Sequence, residues 1–328
     1  MRSPRLTSHK GKGRPSVSDF DWLTGQLRKI VDLGDKASRF DPEIHHDYKI
    51  HTALKLAALN HALDVFTPIA RRQADRHREY HRSVYVDLFA GCGVTKTAKG
   101  DWLAGSPIIA VNSKAHFDSM VLVERGSERI EALKKRIGGV SGKGQPVPTY
   151  IVGDCNALKR HVIDLLQPND LVFVTADPEG MQLHWETLVD IVRTCPASDL
   201  FINCTVGVNR VVGAAESNEA AGKTLERFTG RSLAELLGGV GEGNEFLDMY
   251  EKGMTEALGK PLGTTTLVST ESGQPRYNVL IRTRRTSRGS PYLPGYEALS
   301  KRLSSLTAAE ASRAIDIIKG RQKALASD

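Results

Sequence analysis

The sequence lacks the cysteine spacing of a metal site or a disulfide framework. Only four cysteines occur among its 328 residues, and no two of them form a CxxC pair. Zinc ribbons, iron-sulfur clusters and secreted disulfide scaffolds are therefore not indicated. We expect reduced thiols, most of them buried, and no bound metal.

Long apolar runs are also absent. Runs such as Leu171–Val174 are far shorter than the roughly 20 residues that a membrane-spanning helix requires. The basic segment that opens the chain contains no apolar stretch of the kind found in secretory signals. The sequence therefore predicts a cytoplasmic protein that has no membrane partner.

Acidic residues are outnumbered, because 45 Lys and Arg stand against 38 Asp and Glu, a formal net charge of +7. The positive residues are bunched, which favours an anionic partner such as RNA or DNA, although any one bunch is equally consistent with a solvated surface. The bunches are the N-terminal tail, the stretch Arg71, Arg72, Arg76, Arg78 and Arg82, and the stretch Arg282, Arg284, Arg285 and Arg288.

Strand-like and helix-like segments alternate through the middle of the chain. Near-continuous apolar strands that alternate with helices predict a doubly wound α/β fold, in which helices cover both faces of a parallel sheet. The predicted strands are Val84–Val86, Met120–Glu124, Tyr150–Val152, Leu171–Ala176 and Leu200–Cys204, and the helices between them are Ile108–Ala115, Ser127–Ile137, Asn156–Leu166 and Leu183–Thr194.

Other segments flank or interrupt this predicted core. Two strands joined by a turn, Thr264–Ser269 and Tyr277–Thr283, predict an antiparallel hairpin that completes the sheet. A helix is predicted over Tyr48–Phe66, and another begins at Thr307. The predicted units are a basic, disordered tail (1–20), an N-terminal helical region (21–82), a Rossmann-like core (83–206 and 262–286), a helical insertion (207–261) and a C-terminal helical tail (287–328).

Acidic residues close the first three predicted strands. Asp87 ends the first strand and is followed by the glycine turn Gly91–Gly93, while Glu124 and Asp154 end the next two. Ligands of open α/β sheets bind outside the carboxyl ends of the strands, and glycine lets the backbone approach them closely. The nicotinamide fingerprint GxGxxG is not formed, because Lys96 stands at its third glycine position.

Each acid has an expected role toward a cationic nucleoside. Asp87 suits an ammonium group, Glu124 suits two ribose hydroxyls, and Asp154 suits an adenine amino group, with Cys155 or Asn156 lining the ring. A single acid at such a position is more often a helix cap. Three acids in this order favour a ligand site.

These motifs resemble those of class I S-adenosylmethionine-dependent methyltransferases, and more closely those of the three-Cys-motif partner protein family. The resemblance runs from about Tyr48 to Arg285, and its most specific blocks are Gly105-Ser106-Pro107 and Asp177-Pro178-Glu179-Gly180. It implies a separate three-Cys-motif protein as a candidate partner. It also implies that S-adenosyl-L-methionine binds through Asp87, Phe89, Gly91, Gly93, Glu124, Asp154, Cys155, Asn156 and Asp177.

The Asp177 loop resembles those of amino-methylating enzymes, including tRNA guanine-N2 methyltransferases. In such loops the carboxylate and backbone accept the hydrogens of the target amine, so catalysis is mostly positioning. The resemblance therefore implies catalytic roles for Asp177, Pro178 and Glu179, and an exocyclic amine of a nucleobase as acceptor. The family usually has phenylalanine where Glu179 stands, so the aromatic side chain that stacks on a base is missing there.

Several further residues are candidates for binding the substrate. Trp185 either stacks on a flipped base or packs against the sheet, and His184 is a candidate proton acceptor. Arg282, Arg284 and Arg285 are candidates for binding phosphates. Two alternatives stay open, namely a small-molecule methyltransferase and a non-catalytic subunit that binds the cofactor or nucleic acid.

Overall fold

The computed structural model describes residues 17–47, 49, 51–76, 79–80, 82–142, 144–178, 180–205, 214–215, 218–239, 245–269 and 275–322. Three residues named above, Tyr48, Arg78 and Glu179, lie outside these ranges, and so do residues 1–16 of the predicted tail.

The strands form two sheets. In chain order the described strands are β1 (His46–Asp47), β2 (Ser83–Asp87), β3 (Val94–Lys96), β4 (Trp102–Ala104), β5 (Ser119–Glu124), β6 (Thr149–Val152), β7 (Leu171–Ala176), β8 (Ser198–Thr205), β9 (Leu262–Ser269) and β10 (Pro275–Thr283). The central sheet has the order β6-β5-β2-β7-β8-β10-β9. Its first five strands run parallel, and β10 runs antiparallel to both β8 and β9. The predicted doubly wound sheet with a terminal hairpin is confirmed.

Helices connect and cover the strands. They are α1 (Val17–Ala37), α2 (Thr52–Arg76), α3 (Ser106–Val111), α4 (Ser127–Val140), α5 (Lys159–Asp164), α6 (Trp185–Thr194), α7 (Glu219–Thr229), α8 (Leu233–Gly239), α9 (Glu245–Glu256), α10 (Leu293–Ser305) and α11 (Ala308–Ile318). Within the described ranges no helix is both long enough and apolar enough to cross a membrane.

Each face of the central sheet has its own core. Every residue of β7 is buried, as a strand with helices on both faces requires. Successive side chains of β2 point to opposite faces, so Tyr85 joins the core beneath α1, α2 and α10, whereas Val84 and Val86 join the core beneath α6, α7 and α9.

A small second sheet lies beside the glycine turn. Here β3 pairs with β1 in parallel and with β4 in antiparallel orientation. Helix α1 packs closely on β4, since a Cβ atom added at Gly34 would lie 2.6 Å from the carbonyl oxygen of Trp102. The N-terminal helical region is therefore built onto the segment that carries the glycine turn.

Arg136, on α4, anchors this N-terminal region by hydrogen bonds. Its guanidinium is fully buried and donates to four backbone carbonyl oxygens: Phe40 (3.1 Å), Cys92 (2.6 Å), Asp41 (2.6 Å) and Ile44 (2.6 Å). One side chain thus ties the segment before β1 to the glycine turn.

Several helices differ in extent from their predictions. Helix α1 begins at Val17, inside the predicted tail, and α2 continues to Arg76 because arginine and glutamine favour helix. Helix α3 begins earlier than expected, since Pro107 occupies its first turn. The last helix begins just after Thr307, close to the predicted residue, and there the Glu310 carboxylate accepts the backbone N–H of Thr307 at 2.7 Å.

Candidate functional site

The strand order brings the predicted acids into one row. Strands β6, β5, β2 and β7 are neighbours in the sheet, so Asp154, Glu124, Asp87 and Asp177 follow the carboxyl ends of adjacent strands. At about 4.8 Å between strands, the row is about 15 Å long. Strand order reverses at β2, where an open α/β sheet forms its binding crevice. We call these four residues the acid row.

The turn after β2 has no room for side chains at its two glycines. Gly91 and Gly93 have φ angles of 63° and 88°, which favour glycine. A Cβ atom at Gly91 would lie 2.5 Å from His46 Nε2, and one at Gly105 would lie 3.0 Å from the carbonyl carbon of Gly93. Glycine is therefore required at these positions by the close packing of the turn against its protein neighbours.

Glu124 holds the glycine turn in place. Its Oε2 accepts the N–H of Gly91 at 3.0 Å, and its Oε1 accepts the N–H of Gly126 at 2.9 Å. Arg129 Nη1 lies 3.6 Å from Oε1. A carboxylate has about four acceptor positions. Glu124 therefore retains acceptor positions for ligand hydroxyls, although it is only 8% exposed.

Asp87 lies behind the surface of the site. It has no exposed area, and its oxygens accept the Tyr85 hydroxyl at 2.9 Å and the N–H of half-buried Phe89 at 3.1 Å. Burial raises the pKa of Asp87 to about 6, with a smaller contribution from the negative charge of Asp177. The expected direct contact with a ligand ammonium is therefore not offered by this conformation, because Asp87 instead orients the turn and contributes charge.

The segment after β6 combines one exposed acid with two structural side chains. Asp154 is exposed, and its Oδ1 accepts both the backbone and side-chain N–H groups of Asn156 at 2.8 and 2.9 Å. Asn156 also donates to the carbonyl of Gln182 and accepts the backbone N–H of His184, both at 2.8 Å. Burial raises the pKa of Cys155 to about 12. Asn156 and His184 thus join two loops, whereas Asp154 remains accessible.

Asp177 is paired with a residue that sequence analysis missed. Lys55 Nζ, on α2, donates to Asp177 Oδ1 at 2.8 Å and to Oδ2 at 2.6 Å. Pro178 is buried beside it, and Glu179 is outside the described residues. The available signal was a lone lysine between Leu54 and Leu56 within an otherwise apolar part of the predicted helix.

Trp185 packs inside the protein. Trp185 is only 8% exposed, and its ring contacts that of Tyr250 edge-on, with ring centres 5.4 Å apart. Gly230 also approaches the indole too closely to accept a side chain. This burial favours packing over the stacking role considered for a flipped base.

The candidate phosphate-binding arginines lie at the side of the sheet where the parallel strands begin, opposite the acid row. We call this side the amino edge and the side of the acid row the carboxyl edge. Because β10 is antiparallel, its end meets the amino end of β8, where Thr283 donates to Asp199 at 2.6 Å. Arg282 is buried and pairs with Glu251 at 2.5 Å, and Arg284 contacts the ring and hydroxyl of Tyr80. Arg285 is exposed. Phosphate binding by Arg282 does not fit its burial, since its charge is already paired.

Helix α2 links the two edges. Its N-terminal part carries Lys55 at the acid row, and Arg71 near its other end lies 3.6 Å from Asp118, just before β5. Sixteen residues separate Lys55 from Arg71, about 24 Å along a helix. The exposed arginines Arg72 and Arg76 follow Arg71, so both described arginine bunches lie at the amino edge.

The acid row suits a cationic ligand. Carboxylates repel a pyrophosphate and attract an ammonium or sulfonium group, and the nearby cations Lys55 and Arg129 are each paired with a member of the row. Across the residues that the structure describes, no group of three or more His, Cys, Asp or Glu side chains is arranged to hold a metal ion.

No protein-family model and no curated protein sequence matches this chain. Among solved structures, an O-methyltransferase from Bacillus cereus in complex with S-adenosylhomocysteine is 11% identical, with 82% of this chain and 92% of that chain covered and a TM-score of 0.40. The O-methyltransferase TomG from Streptomyces achromogenes, in complex with S-adenosylmethionine, is 13% identical, with 79% and 98% covered and a TM-score of 0.37. A Legionella pneumophila protein is 11% identical, with 75% and 94% covered and a TM-score of 0.42. At these scores the likenesses carry no argument about function, and the fold is established by the strand order of the chain itself.

Proposed function

We propose that this protein is an S-adenosylmethionine-dependent methyltransferase whose acceptor is an exocyclic amine of a nucleobase in RNA or DNA. The observation that carries the proposal is the acid row beside a glycine turn at the switch point of a parallel sheet. A nucleoside with a positively charged sulfur and an ammonium group matches that row in charge, whereas a pyrophosphate cofactor does not.

The residues present fit this cofactor. Glu124 retains acceptor capacity for two hydroxyls, and exposed Asp154 is available to an amino group. When bound, S-adenosylmethionine supplies a methyl group on a positively charged sulfur. Asp87 keeps the turn in position through the N–H of Phe89.

Asp177 supports an amine as the acceptor. Its carboxylate already binds one nitrogen cation, Lys55, through both oxygens, and about two further acceptor positions remain for the hydrogens of a substrate amine. Holding those hydrogens orients the nitrogen lone pair toward the methyl group, which is catalysis by positioning. The proton released after transfer passes to this carboxylate or to water.

A small-molecule acceptor is the second candidate, and one observation favours it. Both described arginine bunches lie at the amino edge, and the one on α2 begins about 24 Å along the helix from Lys55. A small acceptor needs no contact with that surface, whereas a nucleic acid bound there must also reach around to Asp177. A separate three-Cys-motif protein remains a proposed partner under either candidate.

Calorimetric titration with S-adenosylmethionine, S-adenosylhomocysteine and NAD tests the cofactor assignment. We expect the first two to bind and NAD not to bind. Glu124→Ala should weaken binding at least about tenfold, since charge-assisted hydrogen bonds contribute about 1.5–3 kcal/mol. Glu128→Ala is the matched control, because Glu128 is an exposed acid near the start of α4. Binding of NAD alone, or of none of the three, would contradict the proposal.

Transfer of labelled methyl groups tests the acceptor. The purified protein is incubated with labelled S-adenosylmethionine and either tRNA, duplex DNA or a panel of small phenols and amines. Transfer to a nucleobase amine that falls about 100-fold or more in Asp177→Ala would support the main proposal. Transfer only to small molecules would support the second candidate. Cofactor binding without any transfer would favour the non-catalytic subunit.

A further inference from the structure

Lys55 and Asp177 form an ion pair at the switch point of the sheet. The nitrogen of Lys55 lies 2.8 and 2.6 Å from the two carboxylate oxygens. The two residues are 122 positions apart in the sequence, one on α2 and the other at the end of β7, so only the folded chain brings them together. The pair as a whole carries no net charge.

The ammonium of Lys55 is held on more than one side. Its nitrogen lies 5.6 Å from the ring centre of Tyr277 on β10, and the Tyr277 hydroxyl donates to the carbonyl of His51 at 3.2 Å. The side chains of Lys55 and Asp177 are 16% and 33% exposed. A cation held between a carboxylate and an aromatic face, with little exposure, is a fixed charge.

The charge of Asp177 acts on the cofactor side of the crevice. Burial is the main cause of the raised pKa of Asp87, and the negative charge of Asp177 adds to it. These two residues follow neighbouring strands, β2 and β7. A change in the charge of Asp177 therefore alters the electrostatic potential where the cofactor is expected to bind.

We propose that Lys55 is a specificity-determining residue, which sets the preference of the site between S-adenosylmethionine and S-adenosylhomocysteine by cancelling the charge of Asp177. This inference rests on the proposed function. The cofactor carries a positive sulfur and the product a neutral one, so an unpaired carboxylate at Asp177 favours the cofactor over the product. Tighter binding of the cofactor before the reaction does not speed the transfer step. Lys55 removes this extra affinity by pairing with Asp177.

Dissociation constants for the two ligands test the inference in four proteins: wild type, Lys55→Met, Asp177→Asn and the double variant. Lys55→Met should shift the affinity ratio toward S-adenosylmethionine by roughly 5- to 50-fold, the effect of one uncompensated charge at short range. Asp177→Asn should shift it toward S-adenosylhomocysteine. The double variant should return close to the wild-type ratio, because its pair is neutral again.

Two further variants control the experiment. Lys55→Arg keeps the charge and should keep the wild-type ratio. Lys159→Met removes another paired lysine, whose Nζ lies 2.7 Å from Asp190 and whose side chain is 30% exposed, and should leave the ratio unchanged. If Lys55→Met does not fold, as judged by circular dichroism, then Asp177→Asn and Lys55→Arg decide the question.

The outcomes separate this inference from its premise. An unchanged ratio in both single variants, or shifts in the same direction, overturns the role of Lys55 while leaving the proposed function intact. If the wild type binds neither ligand, the proposed function fails and the role of Lys55 fails with it. Shifts of opposite sign that cancel in the double variant establish the inference.

Discussion

Asp87 and Asp199 are both buried aspartates of the central sheet, at opposite edges. Asp87 ends β2 at the carboxyl edge, and Asp199 begins β8 at the amino edge. Burial raises the pKa of each to about 6. Their exposure and their pKa therefore do not distinguish a site residue from a structural one.

Their neighbours do distinguish them. Asp199 accepts the hydroxyls of Thr283 and Tyr296 at 2.6 and 2.7 Å and interacts electrostatically with the buried cation Lys260. Asp87 instead supports the glycine turn and interacts with a second acid, Asp177. A perturbed pKa indicates a functional residue only where neighbouring groups do not neutralise its charge and the residue lies beside a crevice.

Replacing each aspartate by alanine should give the largest contrast. Asp87→Ala removes the acceptor of the Phe89 N–H and one charge of the acid row, so affinity for S-adenosylhomocysteine should fall at least about tenfold. Asp199→Ala should leave that affinity within about twofold, although both variants lose about 1–3 kcal/mol of stability from unpaired buried donors. Calorimetry and chemical denaturation measure the two effects. Equal losses of affinity would remove the distinction between the edges.

The pH dependence of cofactor binding should sharpen the same contrast. The raised pKa means that Asp87 takes up a proton as the pH falls through about 6, so affinity for a cationic ligand should drop roughly tenfold from about pH 8 to about pH 5. Asp87→Asn should flatten this profile, whereas Asp199→Asn should retain it. Titrations over this range provide the measurement.

Protonation of Asp87 does not destabilise the fold, so unfolding through this group does not explain a loss of cofactor affinity at low pH. Because the pKa is raised in the folded state, this carboxyl group favours folding most below its ordinary value of 3.8 and progressively less as the pH rises through about 6. Stability from this group is therefore gained, not lost, on acidification. A profile that persists in Asp87→Asn would assign the effect to another group.

The smallest effect on the cofactor is expected from the exposed arginines of the amino edge. The triple variant Arg72→Ala, Arg76→Ala and Arg285→Ala should leave cofactor affinity unchanged, because these residues lie at the edge opposite the acid row. It should weaken binding to tRNA or duplex DNA and reduce its salt dependence. Fluorescence anisotropy over a series of salt concentrations measures both. Unchanged nucleic-acid binding would make this surface a solvated face.

The parts of the fold that follow local patterns were predictable. The bounds of β7, Leu171–Ala176, agree with the prediction because a continuous apolar run between polar turns is typical of a buried parallel strand. The small sheet was not predictable, since β3 and β4 have three residues each and their partner β1 is distant in the sequence. Short strands depend on tertiary pairing more than on local composition.

The site was predictable in outline only. Acids at strand ends could be placed because parallel strands present their carboxyl ends at one edge, but the burial of Asp87 and the pairing of Asp177 with Lys55 arise from contacts far apart in sequence. The position of Arg284 and Arg285 follows from the pairing of β10, rather than β9, with β8. An antiparallel last strand must end at the amino edge.

The contacts of Arg136 have a consequence for engineering of the chain. Its guanidinium draws three of its four acceptors from the segment Phe40–Ile44, before the central sheet begins. A sheet transplanted without that segment retains a buried cation stripped of most of its acceptors, a defect of several kcal/mol. The residues ahead of β2 are thus not an independent module, and any truncation or recombination of this protein must keep them together with the sheet.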